Sequence, residues 1–151
     1  MPVTTTDKLS GKKDTVFVSR ATSYFTQFNR RVAANLYLFC DIGPNLTARF
    51  VFTERVGVAS PVVMRVRFDD GPVYHDLEDF RDESGNSLDL QSGHPEDDEG
   101  GKDTNLRTLL LTSSRVRVEF THLPWAKDAL LEFKTDGASD VARKLDCGSR
   151  K

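Results

Sequence analysis

The sequence predicts a mainly β fold: one antiparallel β-sandwich or barrel-like sheet, closed by a short C-terminal helix. Three observations predict it. Short runs with strict alternation recur along the chain, as in Leu46–Thr53 (LTARFVFT), Val62–Asp69 (VVMRVRFD) and Arg115–Thr121 (RVRVEFT). Turn chemistry punctuates these runs, at Asp41-Ile-Gly-Pro-Asn45, Asp69-Asp-Gly-Pro72 and Glu83-Ser-Gly-Asn86. Only at the end does a helical pattern emerge, with Val141, Ala142 and Leu145 on one face. The 151 residues suit one ordinary domain that buries its own core. Its limits are set at 14–148, after a flexible leader over 1–13 and before a tail at 149–151.

In order, Thr15–Ser19 (TVFVS) and Tyr24–Phe28 (YFTQF) read as short strands. In Asn35–Cys40, Leu36, Leu38 and Cys40 share one face and Tyr37 and Phe39 the other, which suits burial on both sides. In the next run, Leu46, Ala48, Phe50 and Phe52 point inward. Met64, Val66 and Phe68 do the same, with Arg65 and Arg67 outward. Val73–Leu77 and Ser87–Leu90 are short strands. Gln91–Asp103 (QSGHPEDDEGGKD) reads as a mobile acidic loop. Asn105–Thr112 fits either a short helix or a strand. Ala129–Thr135 is the last strand, Asp136 or Ser139 caps the helix, and Gly148 stops it.

Charge and motifs exclude several function classes. The net charge of −2 comes from interspersed acids and bases, so a nucleic-acid partner is not expected. No apolar run approaches the roughly 18 residues that span a bilayer, so no membrane insertion is expected. The first residues, MPVTTTDKLSGKKD, lack the apolar stretch of a signal peptide. That leaves a cytoplasmic protein, or a mature form whose signal has been removed. Cys40 and Cys147 have no near Cys or His, which excludes a zinc site; no metal or cofactor is expected. From spacing alone, the two cysteines are either a bridge or two buried free thiols. His75, His94 and His122 lack metal-ligand spacing and read as scattered surface residues. No Gly-x-Ser-x-Gly elbow, EF-hand order or phosphate-loop spacing is present. No catalysis is expected.

Binding candidates remain. Arg49, Arg65, Arg67, Arg115 and Arg117 lie on polar strand faces. If those strands are neighbours, they form an arginine-rich face for carboxylates, phosphates, glycans or a protein. Alternatively they pair with Glu54, Glu119 and Glu132 across strands. The turn at Asp69 and Asp70 and the acidic residues Glu96, Asp97 and Asp98 complete the candidate surface.

The order of segments carries a resemblance. A strand ends in a cysteine (Leu36-Tyr-Leu-Phe-Cys40), and Val63-Met-Arg-Val-Arg-Phe-Asp-Asp-Gly-Pro72 follows. Late in the chain come Leu109-Leu-Leu, Arg115-Val-Arg-Val-Glu119, and Leu131-Glu-Phe-Lys-Thr-Asp-Gly137 leading to Leu145-Asp-Cys147. Over about residues 14–148 this resembles the VasI/TagO-like family of bacterial proteins associated with type VI secretion, and related prophage domains. Phe80 stands where that family has a tryptophan, and Lys134 where it has an aspartate. The resemblance implies a Cys40–Cys147 disulfide and a non-enzymatic accessory or binding domain outside the cytoplasm. Its partner would be a protein or cell-envelope component. Two alternatives belong to other classes. One is a phage- or mobile-element-encoded cytoplasmic inhibitor whose acidic loop mimics nucleic acid; the other is a hydrolase of envelope polymers. Oligomeric state is not readable from the sequence.

Overall fold

The computed structural model describes residues 2–6, 13–40, 46–57, 61–81, 84–97 and 102–145. They form two antiparallel sheets, a small hairpin and two short helices. One sheet has the order β1-β2-β5-β6-β9, from Pro2–Thr6, Lys13–Arg20, Ala34–Cys40, Leu46–Phe52 and Ser87–Leu90. The other has the order β11-β10-β8-β7-β12-β13, from Thr104–Asn105, Ser92–Pro95, Val73–Glu78, Val62–Phe68, Arg115–Thr121 and Ala129–Lys134. Phe25–Gln27 (β3) and Arg30–Val32 (β4) make the hairpin; α1 spans Leu106–Leu110 and α2 spans Ala138–Leu145. The expected mainly β, sandwich-like fold with a short C-terminal helix is the one observed.

Alternation places the core. Phe50 and Phe52 on β6 face Phe120 on β12 and Phe133 on β13 across the sandwich. Phe50 meets Phe120 edge-on at 5.5 Å between centroids and Phe133 at 5.3 Å. Phe52 meets Phe120 at 4.9 Å, and Phe25 of the hairpin adds a further edge contact to Phe52. These edge-to-face and tilted pairs add to the apolar area that each ring buries. Leu36, Leu38, Leu88 and Leu90 fill one wall, and Met64, Val66, Val118 and Leu131 the other.

Several expectations change. Residues 2–6 were assigned to a leader but form β1, paired with β2 from Pro2↔Phe17 to Thr6↔Lys13. β5 is not buried on both sides: Tyr37 and Phe39 stay half-buried on the outer face, where the Arg49 guanidinium lies 4.9 Å from the Phe39 ring. The segment read as a mobile acidic loop contributes β10 to the second sheet, and β11 follows directly after it. Gly93 permits this, because a Cβ there would collide with the His75 carbonyl. The ambiguous 105–112 segment resolves into one helical turn. The Asn105 side chain caps it by accepting from the Arg107 amide at 3.1 Å, and Leu106 and Leu110 are buried beneath it.

Edges are managed. On β13 the Glu132 carbonyl accepts from the Thr22 amide at 2.8 Å, and the Glu132 amide donates to the Ser23 hydroxyl at 3.0 Å. The segment before the hairpin thus covers an edge open to foreign strands. Helix α2 packs on β2 and β5, with Ala138 and Val141 buried.

Phe50→Ala removes the ring shared by both walls. Urea unfolding is expected to show a loss of about 3–5 kcal/mol. Tyr37→Phe, on the outer face, should cost far less in the same assay.

Candidate functional site

Strand register decides what the outer face of the six-stranded sheet presents. Arg65 lies opposite His75 on β8 and Glu119 on β12. One row along, Arg67 lies opposite Val73 and Arg117, and Arg117 opposite Glu132 on β13. Arg115 lies opposite Lys134. Four of the five arginines singled out in the sequence therefore share one face. Arg49 does not: β6 belongs to the other sheet, where its Nε donates to Asp89 at 2.7 Å.

The four behave differently. Arg65 is paired through both terminal nitrogens: Nη2 donates to both Glu96 oxygens at 3.1 Å and Nη1 to Glu119 at 3.2 Å. These bonds, Glu96 first, raise its pKa, and Arg65 in turn lowers that of Glu96. Arg115 reaches Asp70 at 3.2 Å and Glu132 at 3.7 Å. For these two, the cross-strand pairing alternative describes the observed contacts.

Among the described residues Arg67 and Arg117 make no ion pair: Glu132 lies opposite Arg117 in register, but its carboxylate is within 3.7 Å of Arg115. Two guanidinium groups directly opposite one another repel, and the chain holds them with backbone oxygens instead. Arg67 Nε donates to the Gly71 carbonyl at 3.0 Å and Nη2 to that of Asp70 at 3.3 Å. Arg117 Nη2 donates to the Asp69 carbonyl at 3.4 Å. Arg117 Nε is buried and has no hydrogen-bond partner. An unmet buried donor on a permanently charged group is costly unless an acceptor arrives. A groove of about 140 Å³ opens here, lined by Arg65, Arg67, Val73, Arg117, Glu119 and Leu130. Leu130 is 50% exposed and supplies an apolar wall.

The turn holding these arginines is built by Asp69. Its φ is 50°, a left-handed conformation that Asp tolerates better than most residues. Its Oδ1 accepts from the amides of Ser114 and Arg115 at 3.0 and 3.1 Å. The Asp69 carboxylate, read as a binding group, is thus engaged in fastening β7 to the start of β12. Asp70 remains exposed beside Arg115.

The acidic segment is not uniformly free. Glu96 lies against Arg65 and within 3.2 Å of His75 Nε2; Asp97 is exposed, and Asp98 lies outside the described residues. His75 and His94 are not scattered: β8–β10 pairing stacks them at 6.2 Å between centroids. His122 lies elsewhere, with a φ of 65° after β12. Among the described residues no group of three His, Cys, Asp or Glu has metal-holding geometry. Cys40 ends β5 half-buried, and no free cysteine occurs among the described residues. Cys147 lies outside them.

Sequence reasoning missed a carboxyl pair. Asp76 and Glu78 face inward on β8, opposite Met64 and Val62, while Leu77 points out and is 64% exposed. Alternation in Tyr74-His-Asp-Leu-Glu78 carried the signal, but it required placing two acids inside and a leucine outside. The Gln91 amide donates to Asp76 at 3.0 Å and the Gln91 side chain to Glu78 at 3.2 Å. Burial raises both pKa values. Glu78, pushed further by its hydrogen bond to Asp76 and by the Asp76 charge, reaches about 8. Glu78 therefore holds a proton that it shares with Asp76 at neutral pH.

Comparison with family models, curated proteins and solved structures returned no match for this chain.

Because Glu78 keeps its proton in the folded state up to about pH 8 but loses it near 4.5 when unfolded, folded protein binds more protons across that window. Stability therefore falls as pH rises from about 4.5 to 8. Glu78→Gln should match the parent near pH 4.5 and exceed it increasingly toward pH 8, measured as chemical denaturation across pH. An equal pH slope in both proteins would refute the shared proton.

Proposed function

We propose that this chain is a binding module without catalytic chemistry, acting outside the bacterial cytoplasm. Its outer six-stranded face would take an anionic group, carboxylate or phosphate, borne by a protein or cell-envelope component. One observation carries this reading: Arg67 and Arg117 lie side by side with no ion pair among the described residues, fixed by the 69–71 carbonyls, with the Arg117 Nε donor unmet. Fixed guanidinium donors match carboxylate and phosphate oxygens in two-point contacts. Val73 and Leu130 line the same groove, which favours an anion carried next to an apolar group. The compartment rests on the resemblance to secretion-associated proteins and on pairing of Cys40 with Cys147. Helix α2 packing on β5, the strand that Cys40 ends, supports that pairing.

Titration with inorganic phosphate and with acetate, followed by backbone amide NMR, tests the site. Saturable shifts are expected at Arg67, Gly71 and Arg117. Arg117→Gln should weaken them about tenfold, while the melting temperature holds. Shifts spread evenly over the surface, or unchanged in the variant, count against it. For the pairing, protein exported to the periplasm and alkylated at lysis should show no reactive thiol on denaturation and two cysteines only after reduction. Free thiols at both positions would remove the argument for the compartment.

A further inference from the structure

The β3–β4 hairpin ends in an unusual turn. Its two central residues, Phe28 and Asn29, have φ of 51° and 61°. Two left-handed residues make the turn that best fits twisted hairpins, but its usual occupants are Asn, Asp and Gly. A bulky aromatic at the first position is strained. That strain does not serve core packing: Phe28 is 61% exposed. Its ring lies 5.5 Å from Trp125, the single tryptophan of the chain, in the corner between β12 and β13. Tyr24, just before the hairpin, is 52% exposed, and the Arg31 guanidinium lies 4.6 Å over its ring. The inner residues Phe25, Gln27 and Val32 are buried, so the hairpin is anchored while its outer side carries the aromatics.

Among the described residues one cation at this tip, Arg31, is left uncompensated. Arg30 is paired with Glu54 at 3.4 Å. Arg31 has no carboxylate partner among the described residues, and Lys127 is exposed two positions after Trp125, with Asp128 beside it. Tyr, Trp and Arg dominate protein–protein contacts; here Tyr24 and Arg31 are exposed and Trp125 is half-buried. The Phe28 and Trp125 rings are tilted by 43° and offer no flat platform for a sugar ring.

We propose that the tip formed by Tyr24, Phe28, Arg31 and Trp125 is a second docking site, separate from the arginine groove. Its occupant is an acidic segment of a partner protein, one apolar side chain seated on Phe28 and Trp125 and a carboxylate on Arg31. The turn holds Phe28 ready, so no ordering of that ring is needed on binding.

The test is selection of a random displayed peptide library on the intact protein, followed by titration of individual peptides against Trp125 emission. Enriched peptides should combine Asp or Glu with an apolar residue and shift the emission saturably. Phe28→Gly suits the left-handed turn, so its melting temperature should equal or exceed the parent's while affinity falls at least about tenfold. Arg31→Glu should weaken the same peptides. The proposal is overturned if no acidic peptide is enriched, or if basic peptides bind as well. Binding that both variants leave intact overturns it too. So does an emission change produced instead by anionic lipid vesicles, by an oligosaccharide, or by self-association detected in sedimentation. Arg117→Gln should leave peptide binding here unchanged, so the two sites fail or succeed independently.

Discussion

The contact of Phe50 with Phe120 and Phe133 is the constraint on which the structure depends. It joins β6 in one sheet to β12 and β13 in the other. In a sandwich, side chains of the two inner faces interdigitate, so a ring at the centre sets both separation and relative placement. Once Phe120 and Phe133 are inside, every second residue of β12 and β13 must point out. Arg115, Arg117 and Glu119 follow from Val116, Val118 and Phe120 being in. The candidate face is thus a by-product of core alternation, made specific by register.

Register is what turns outward arginines into a site. Arg65 falls opposite Glu119 and is neutralised; Arg67 falls opposite Arg117 and is not. Both strands carry arginines two residues apart, so a two-residue shift one way would oppose Arg65 to Arg117 and Arg67 to Arg115, and the other way would oppose Arg67 to Glu119 and Arg117 to Asp69. The observed alignment concentrates the unbalanced charge in one row. Backbone carbonyls of the 69–71 turn hold it there, and the carboxylate of Asp69 holds the turn. Stability and recognition therefore meet at Asp69: the residue shapes the groove without facing a ligand.

The inward acids of β8 show the opposite compromise. Asp76 and Glu78 occupy core-facing positions and stay there because one proton and the Gln91 groups satisfy them. The neighbouring outer row carries His75, stacked on His94 and close to Glu96. Charge on this sheet is thus set by pairing between strands that are distant in sequence, not by local composition.

By itself the sequence determined the alternating strands β6, β7 and β12 with their inward faces, and the terminal helix. Alternation between polar and apolar residues is local, and water enforces it on each segment separately. Tertiary structure alone decided which strands are neighbours. It separated Arg49 from the other arginines, brought His75 to His94, and folded Glu96 back on Arg65 out of a segment read as loop. It also decided that Leu77 faces out while Asp76 faces in, against hydropathy, because Met64 and Val62 set the register opposite. Pairing across β7 and β12 joins partners far along the chain, Arg65 and Glu119 being 54 residues apart, and no local window of sequence contains both. The arginine face was legible as a list of residues; the unmatched pair within it existed only once β7 lay beside β12.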